Sequence, residues 1–163
     1  MHDELLTTLG NGSVHWFRDW PAADVPTHAA GVYTVWEGET LVYVGMSGRS
    51  IMADTPHRRT PLGLFTRLAS HAGGRRSGDQ FCVYVADRLL LPTLSAGQLR
   101  EIADGTLSMD SLVRAFIHDR LSYRFAVVPD GATAFQVENL VKRGALGTRP
   151  VLNPGTGALA PAQ

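Results

Sequence analysis

Apolar positions gather early in the chain into two runs, Gly31-Val32-Tyr33-Thr34-Val35-Trp36 and Leu41-Val42-Tyr43-Val44-Gly45, with the polar Glu37-Gly38-Glu39-Thr40 between them. Val, Tyr, Trp and Thr suit a pleated, half-buried surface, and glycine between the runs signals a turn, so the pattern predicts a β-hairpin. Its register stays open. A three-residue loop over Glu37-Gly38-Glu39 sets Tyr33 directly opposite Tyr43 on one face, whereas a two-residue Gly38-Glu39 turn sends them to opposite faces.

Beyond the hairpin, a helix is expected from Pro61 to about Ala72, with Thr60 as N-cap, Pro61 in the first helical position and Gly73-Gly74 as its stop. Arg67 and His71 are four apart and share a face of it. Gln80–Val85 reads as a third strand. Residues 86–122 read as helical, with a Ser95/Gln98 capping box and with Asp110 or Ser111 capping a helix over Leu112–Leu121. Tyr123–Val128 is a fourth candidate strand. A Thr133/Gln136 capping box opens a last helix, Ala134–Arg143, that Gly144 stops and that carries Glu138. Residues 1–28 form an N-terminal extension whose aromatics (Trp16, Phe17, Trp20) are expected to lie as a lid on the core, with stacking on DNA as the lesser alternative. The Gly/Ala/Pro-rich 155–163 reads as a flexible tail.

A chain of 163 residues suits one domain, and 44% hydrophobic with 18% charged residues is ordinary for a globular one. No apolar run approaches the ~20 residues that span a bilayer, so no membrane partner is expected. The start, Met1-His2-Asp3-Glu4, lacks the basic region of a secretory signal. The lone Cys82 can form neither an intrachain disulfide nor a cysteine zinc cage. Together these features read as cytoplasmic. Net charge is zero, yet between Met46 and Arg76 six arginines (Arg49, Arg58, Arg59, Arg67, Arg75, Arg76) face one acid, Asp54. Such a segment is either the footprint of a phosphate-backbone binder or a solvated arginine-rich loop, and charge alone does not choose. Gly45-Met46-Ser47-Gly48 is not a P-loop, because no Gly-Lys-Ser/Thr comes after it.

Gly31-Val32-Tyr33, nine intervening residues and then Tyr43-Val44-Gly45 resemble the two half-motifs of the GIY-YIG nucleases. A Gly-x-Tyr and Tyr-x-Gly pair is weak alone, since both residues are common in hairpins. Four residues downstream, in the family's order, strengthen it. Arg67 stands on the first helix after the hairpin. His71 lies one turn later, as in a branch resembling certain type II restriction endonucleases. Glu138 sits on a later helix, and Asn153 lies in Leu152-Asn153-Pro154. The resemblance covers about Gly31 to Pro154. One by one, these residues are ordinary strand tyrosines, surface helix charges and a turn asparagine.

The resemblance implies an α/β (α+β) domain over 29–154 with a small, mainly antiparallel central sheet flanked by helices. It also implies metal-dependent hydrolysis of DNA phosphodiesters, of restriction or defence type. Glu138 would be the metal ligand. A hard ion such as Mg²⁺ (or Mn²⁺) keeps most of its waters and needs only one or two carboxylates, whereas zinc would need several N or S ligands. Arg67 would grip phosphate oxygens in a fork. Tyr33 would position or deprotonate the attacking water. Free tyrosine, with a pKa near ~10, is a poor base, so His71 is expected to accept its proton. Tyr43 would bind the phosphate, and Asn153 would orient Glu138 or the backbone around the metal. Repair-type members often carry lysine after the second half-motif. Met46 stands there instead, leaving Ser47 and Arg49 for phosphate contacts alongside Arg58, Arg59, Arg75 and Arg76. The helical insertion at about 86–122 would hold target contacts or a dimer surface, or serve only as extra scaffold, and cutting both strands at a symmetric site would call for a homodimer. The competing readings are an inactive nucleic-acid-binding module of the same fold, a nuclease for single-stranded DNA or RNA, and a protein-interaction domain for an acidic partner.

Overall fold

The computed structural model describes residues 2–52 and 61–153. The expected hairpin is its centre. Strand β2, His28–Glu37, pairs antiparallel on one side with β3, Thr40–Ser47, and on the other with β5, Leu121–Val128. The two-residue β1, His15–Trp16, extends the sheet beyond β5. The equally short β4, Leu62–Gly63, pairs parallel with the start of β2. The sheet is therefore small and mainly antiparallel, and helices cover both faces.

Nearly every residue of β2 is buried, which is why it reads as a continuous apolar run rather than an alternating one. On one face, Tyr33 and Val35 pack with Leu64, Leu68 and Phe81. These come from α2, Leu64–Gly73, and α3, Gln80–Tyr84; α5, Met109–Arg120, adds Val113, Phe116 and Ile117 to the same cluster. On the other face, Val32 and Trp36 pack with Leu9 of α1, His2–Asn11, and with Ala134, Val137 and Val141 of α6, Gly131–Lys142. Thr34 ties α1 down by donating its hydroxyl to the Leu9 carbonyl at 2.7 Å. Phe17 from the N-terminal segment is fully buried in the first cluster, and Trp20 packs on Phe65 and Tyr123. Among the described residues no helix is long and apolar enough to cross a membrane.

Several local expectations change. Gln80–Val85 is not a strand. Its apolar residues Phe81, Cys82, Val85 and Ala86 all face the core, the spacing of a helix. Asp79 caps that helix by accepting from the Phe81 and Cys82 amides, and a π-helical stretch continues over Val85–Leu90. Helix α2 starts at Leu64 rather than Pro61, because Leu62 and Gly63 are spent pairing with His28 and Ala29. The expected cap Thr60 lies outside the described residues. Ser108 rather than Asp110 or Ser111 caps α5. Asp130 rather than Thr133 caps α6, accepting the Thr133 amide at 2.8 Å, so α6 opens three residues early. The Ser95/Gln98 box forms as expected at the start of α4, Ala96–Ala103.

The hairpin settles the tyrosine register by a route the pattern did not offer. Glu37 pairs with Thr40, so the turn is the two-residue Gly38-Glu39. Between Val35 and Trp36 the register then shifts. Trp36 faces Leu41 but Val35 faces Tyr43, leaving Val42 as an extra residue in a β-bulge. That shift cancels the effect of the short turn, and Tyr33 and Tyr43 share a face as diagonal neighbours, with ring centroids 6.3 Å apart.

Gly31, in the first half-motif, is required by close packing. A β-carbon there would collide with Leu64 of α2 and lie 2.6 Å from the Ala126 carbonyl oxygen of β5. Gly31→Ala is therefore expected to destabilise the fold by about 1–3 kcal/mol, the usual cost of overpacking. Urea unfolding checks this, and a midpoint equal to that of the parent would show that α2 yields freely.

Candidate active site

Side chains from β2, β3, α2 and α6 meet at a cleft beside the bulged hairpin. Tyr33 from β2, Tyr43 from β3, Arg67 from α2 and Glu138 from α6 line one cavity of about 540 Å³, together with Ser47, Arg49 and Lys142. Helix α6 is held against this end of the sheet by the Gly131 amide, which donates to the Ile51 carbonyl at 3.0 Å. Gly45 of the second half-motif lies opposite Tyr33, and a β-carbon there would overlap the Tyr33 hydroxyl. Its lack of a side chain makes the room in which that hydroxyl sits.

Behind the cleft runs a buried chain of hydrogen bonds. Tyr33 Oη is 2.6 Å from His71 Nε2, and His71 Nδ1 is 2.7 Å from Asp79 Oδ2. Asp79 also accepts from Ser70 Oγ at 2.6 Å and from two α3 amides. Burial works to raise the Asp79 carboxyl, but the hydrogen bonds from His71, Ser70 and Cys82 outweigh it and hold the group at about 2. Burial pushes His71 below its ordinary 6.5 despite Asp79. The consistent state is an ionised Asp79 accepting Nδ1–H from a neutral imidazole, whose bare Nε2 accepts the Tyr33 O–H. Burial, and then Tyr43, raises Tyr33 well above 10. Burial, and then Glu138, raises Tyr43 to about 12, while Arg67 pulls both down. At neutral pH both tyrosines carry their protons.

Glu138 is buried and ion-paired with Lys142, one turn later on α6, at 3.1 Å. Among the described residues it is the one acid lining the cleft. A carboxylate facing an open cavity could hold a hard divalent cation such as Mg²⁺ or Mn²⁺, which keeps most of its waters and needs only one or two carboxylates. Among the described residues no group of three or more His, Cys, Asp or Glu side chains converges as a multidentate cage would need. Of the two partners expected for Asn153, Glu138 or nearby backbone, its hydrogen bonds go to backbone. Its amide pairs with the backbone of Val44, accepting from the amide and donating to the carbonyl, both at 2.8 Å. It so extends the edge of β3 between Tyr43 and Gly45.

The arginines separate. Arg49 and Arg67 line the cleft, and a second depression of about 590 Å³ continues from it past Ser47, Thr66 and Ser70. Arg75 and Arg76 come after the C-terminus of α2 and line neither hollow, and Arg76 is engaged with Asp110 at 2.6 Å. Arg58 and Arg59 lie outside the described residues. Asp79 was missed by sequence reasoning. Its signal was an acid in N-cap position eight residues after His71, hidden once 80–85 was read as a strand.

The buried chain has two measurable consequences. His71 takes up a proton more readily unfolded than folded, so its contribution to stability is complete above about pH 6.5 and falls away as pH drops below that value. Thermal melts across this range should show the decline, and a flat profile would mean that His71 titrates alike in both states. Asp79→Asn keeps an oxygen for the α3 amides but presents N–H to His71. The imidazole is then expected to switch from its Nδ1–H to its Nε2–H tautomer, turning a donor towards Tyr33. Ring ¹⁵N chemical shifts report the tautomer directly, and an unchanged Nδ1–H form would remove Asp79 from the orienting role.

No family model, curated protein or solved structure matches this chain.

Proposed function

We propose that this protein is a metal-dependent endonuclease of the GIY-YIG kind that hydrolyses phosphodiester bonds in DNA. The observation carrying this reading is the convergence of Tyr33, Tyr43, Arg67 and Glu138, from four separate elements, on one cleft, with Tyr33 backed by buried His71. Among the described residues lining the cleft, Arg49, Arg67 and Lys142 against Glu138 give an excess of positive charge suited to a phosphate chain.

In this reading Arg67 holds two phosphate oxygens in its fork and offsets the charge that grows on them. Tyr43 stays protonated and donates its hydroxyl to the phosphate. An attacking water gives its proton to Tyr33 Oη while the Tyr33 proton moves to His71 Nε2, and Asp79 steadies the imidazolium that results. The hydroxide so formed bonds to phosphorus, the bond to the leaving oxygen breaks, and that oxygen takes a proton from solvent. A Mg²⁺ or Mn²⁺ ion held by Glu138 would polarise the phosphate and stabilise the leaving oxygen. Asn153 is a positioning residue that fixes the strand between Tyr43 and Gly45. Double-strand cutting at a symmetric site would bring two copies together. We read the compartment as cytoplasmic, which a single buried thiol, Cys82, suits.

The test is cleavage of supercoiled plasmid, single-stranded DNA and RNA with Mg²⁺ or Mn²⁺, beside an EDTA control. Glu138→Ala is expected to abolish cutting while DNA binding holds or tightens, because Lys142 is released from its ion pair. Wild-type cutting by this variant would take Glu138 out of the metal role. Arg67→Ala should slow turnover on the order of 10²-fold or more at saturating DNA, and an effect confined to KM would make it a binding residue only.

A further inference from the structure

Phe135 is the one aromatic side chain left exposed among the described residues, at 49%. The inward face of its helix is filled by Ala134, Val137 and Val141, and Phe135 belongs to neither core cluster. A single exposed apolar side chain is ordinary on most surfaces, but the position of this one is not neutral. It stands one turn before Glu138 on α6, on the wall of the cleft. It also lines an adjoining apolar recess of about 390 Å³ with Met52, Gly131 and Ala132. Arg49 borders both hollows, and its guanidinium lies 5.9 Å from the centre of the Phe135 ring.

A phosphate-binding trough that opens directly into an apolar, aromatic-walled recess has the two-part chemistry of a nucleotide, charged backbone on one side and flat base on the other. We infer that Phe135, with the Arg49 guanidinium beside it, is a stacking platform for an unpaired nucleobase next to the phosphate held at Tyr43 and Arg67. The inference rests on the nuclease reading for the neighbouring cleft and adds the state of the substrate. A base inside a duplex has both faces covered by its neighbours, so the platform takes a base from a single strand or from a duplex opened at that nucleotide. Stacking on an aromatic face tolerates any base, so the platform favours unpaired strands without specifying sequence.

The test measures binding of the full chain in EDTA, so that no strand is cut. Its probes are a mixed-sequence single strand, the same strand made wholly abasic, and the corresponding duplex, each over a series of salt concentrations. The parent protein is expected to bind the base-bearing strand about tenfold more tightly than the abasic one, within the range one aromatic–base stack supplies. Phe135→Ala and Phe135→Leu should lose that preference, Phe135→Trp should keep it, and all should retain the parent's salt slope, since Phe135 meets no phosphate. Equal binding of the two single strands by the parent, with normal salt sensitivity, overturns the platform and leaves the nuclease reading standing. So does a preference that survives in Phe135→Leu, which would be apolar contact without stacking. The platform is also overturned if Phe135→Ala turns a dimer into a monomer in light scattering, because the recess then belongs to a second copy. Absence of salt-sensitive binding to any of the three probes would remove the nuclease reading and the platform together.

Discussion

The carboxylate of Asp79 is the point on which the site turns. It closes the N-terminus of α3, takes the Ser70 hydroxyl from α2 and holds the ring of His71, which in turn holds Tyr33 on β2. One buried anion thereby joins two helices and a strand. Burying a charge is costly unless hydrogen bonds replace water around it, and here two side chains and two backbone amides do so. The same bonds that make the carboxylate tolerable inside the protein fix which nitrogen of His71 bears the proton. Stability and proton placement are therefore one arrangement seen twice.

Much of this was legible in the chain and some was not, for identifiable reasons. Tyr33, Tyr43, Arg67 and Glu138 stand out by motif order, and the structure brings their side chains to one cavity. The roles of the two motif glycines became plain only with coordinates, since they depend on what lies across the sheet: Leu64 for Gly31 and the Tyr33 hydroxyl for Gly45. The bulge at Val42 left no mark in the pattern, because an apolar residue between Leu41 and Tyr43 looks the same whether or not it is paired. Asp79 was lost to a wrong choice of period. Phe, Cys, Val and Tyr favour strands by composition, but an N-cap side chain and a core-facing stripe overruled that preference locally.

Charge shows how far neighbours in sequence separate in space. The arginines between Met46 and Arg76 read as one patch, yet Arg49 and Arg67 meet at the cleft while Arg76 is occupied with Asp110 beyond the far end of α2. A third cation lining the cleft among the described residues, Lys142, comes from another part of the chain.

The hairpin also obeys a rule of parity. Between Val35 and Tyr43 the returning strand carries one residue more than its partner, and the alternation that puts both tyrosines on the cleft side depends on that odd count. Lengthening or shortening the connection by two residues conserves the parity. A change of one reverses it and sends Tyr43 to the face of α1 and α6, unless a second single-residue change compensates. Length variation in this hairpin is thus quantised: a drifting sequence can cross from one permitted length to the next by a paired step, but not by halves.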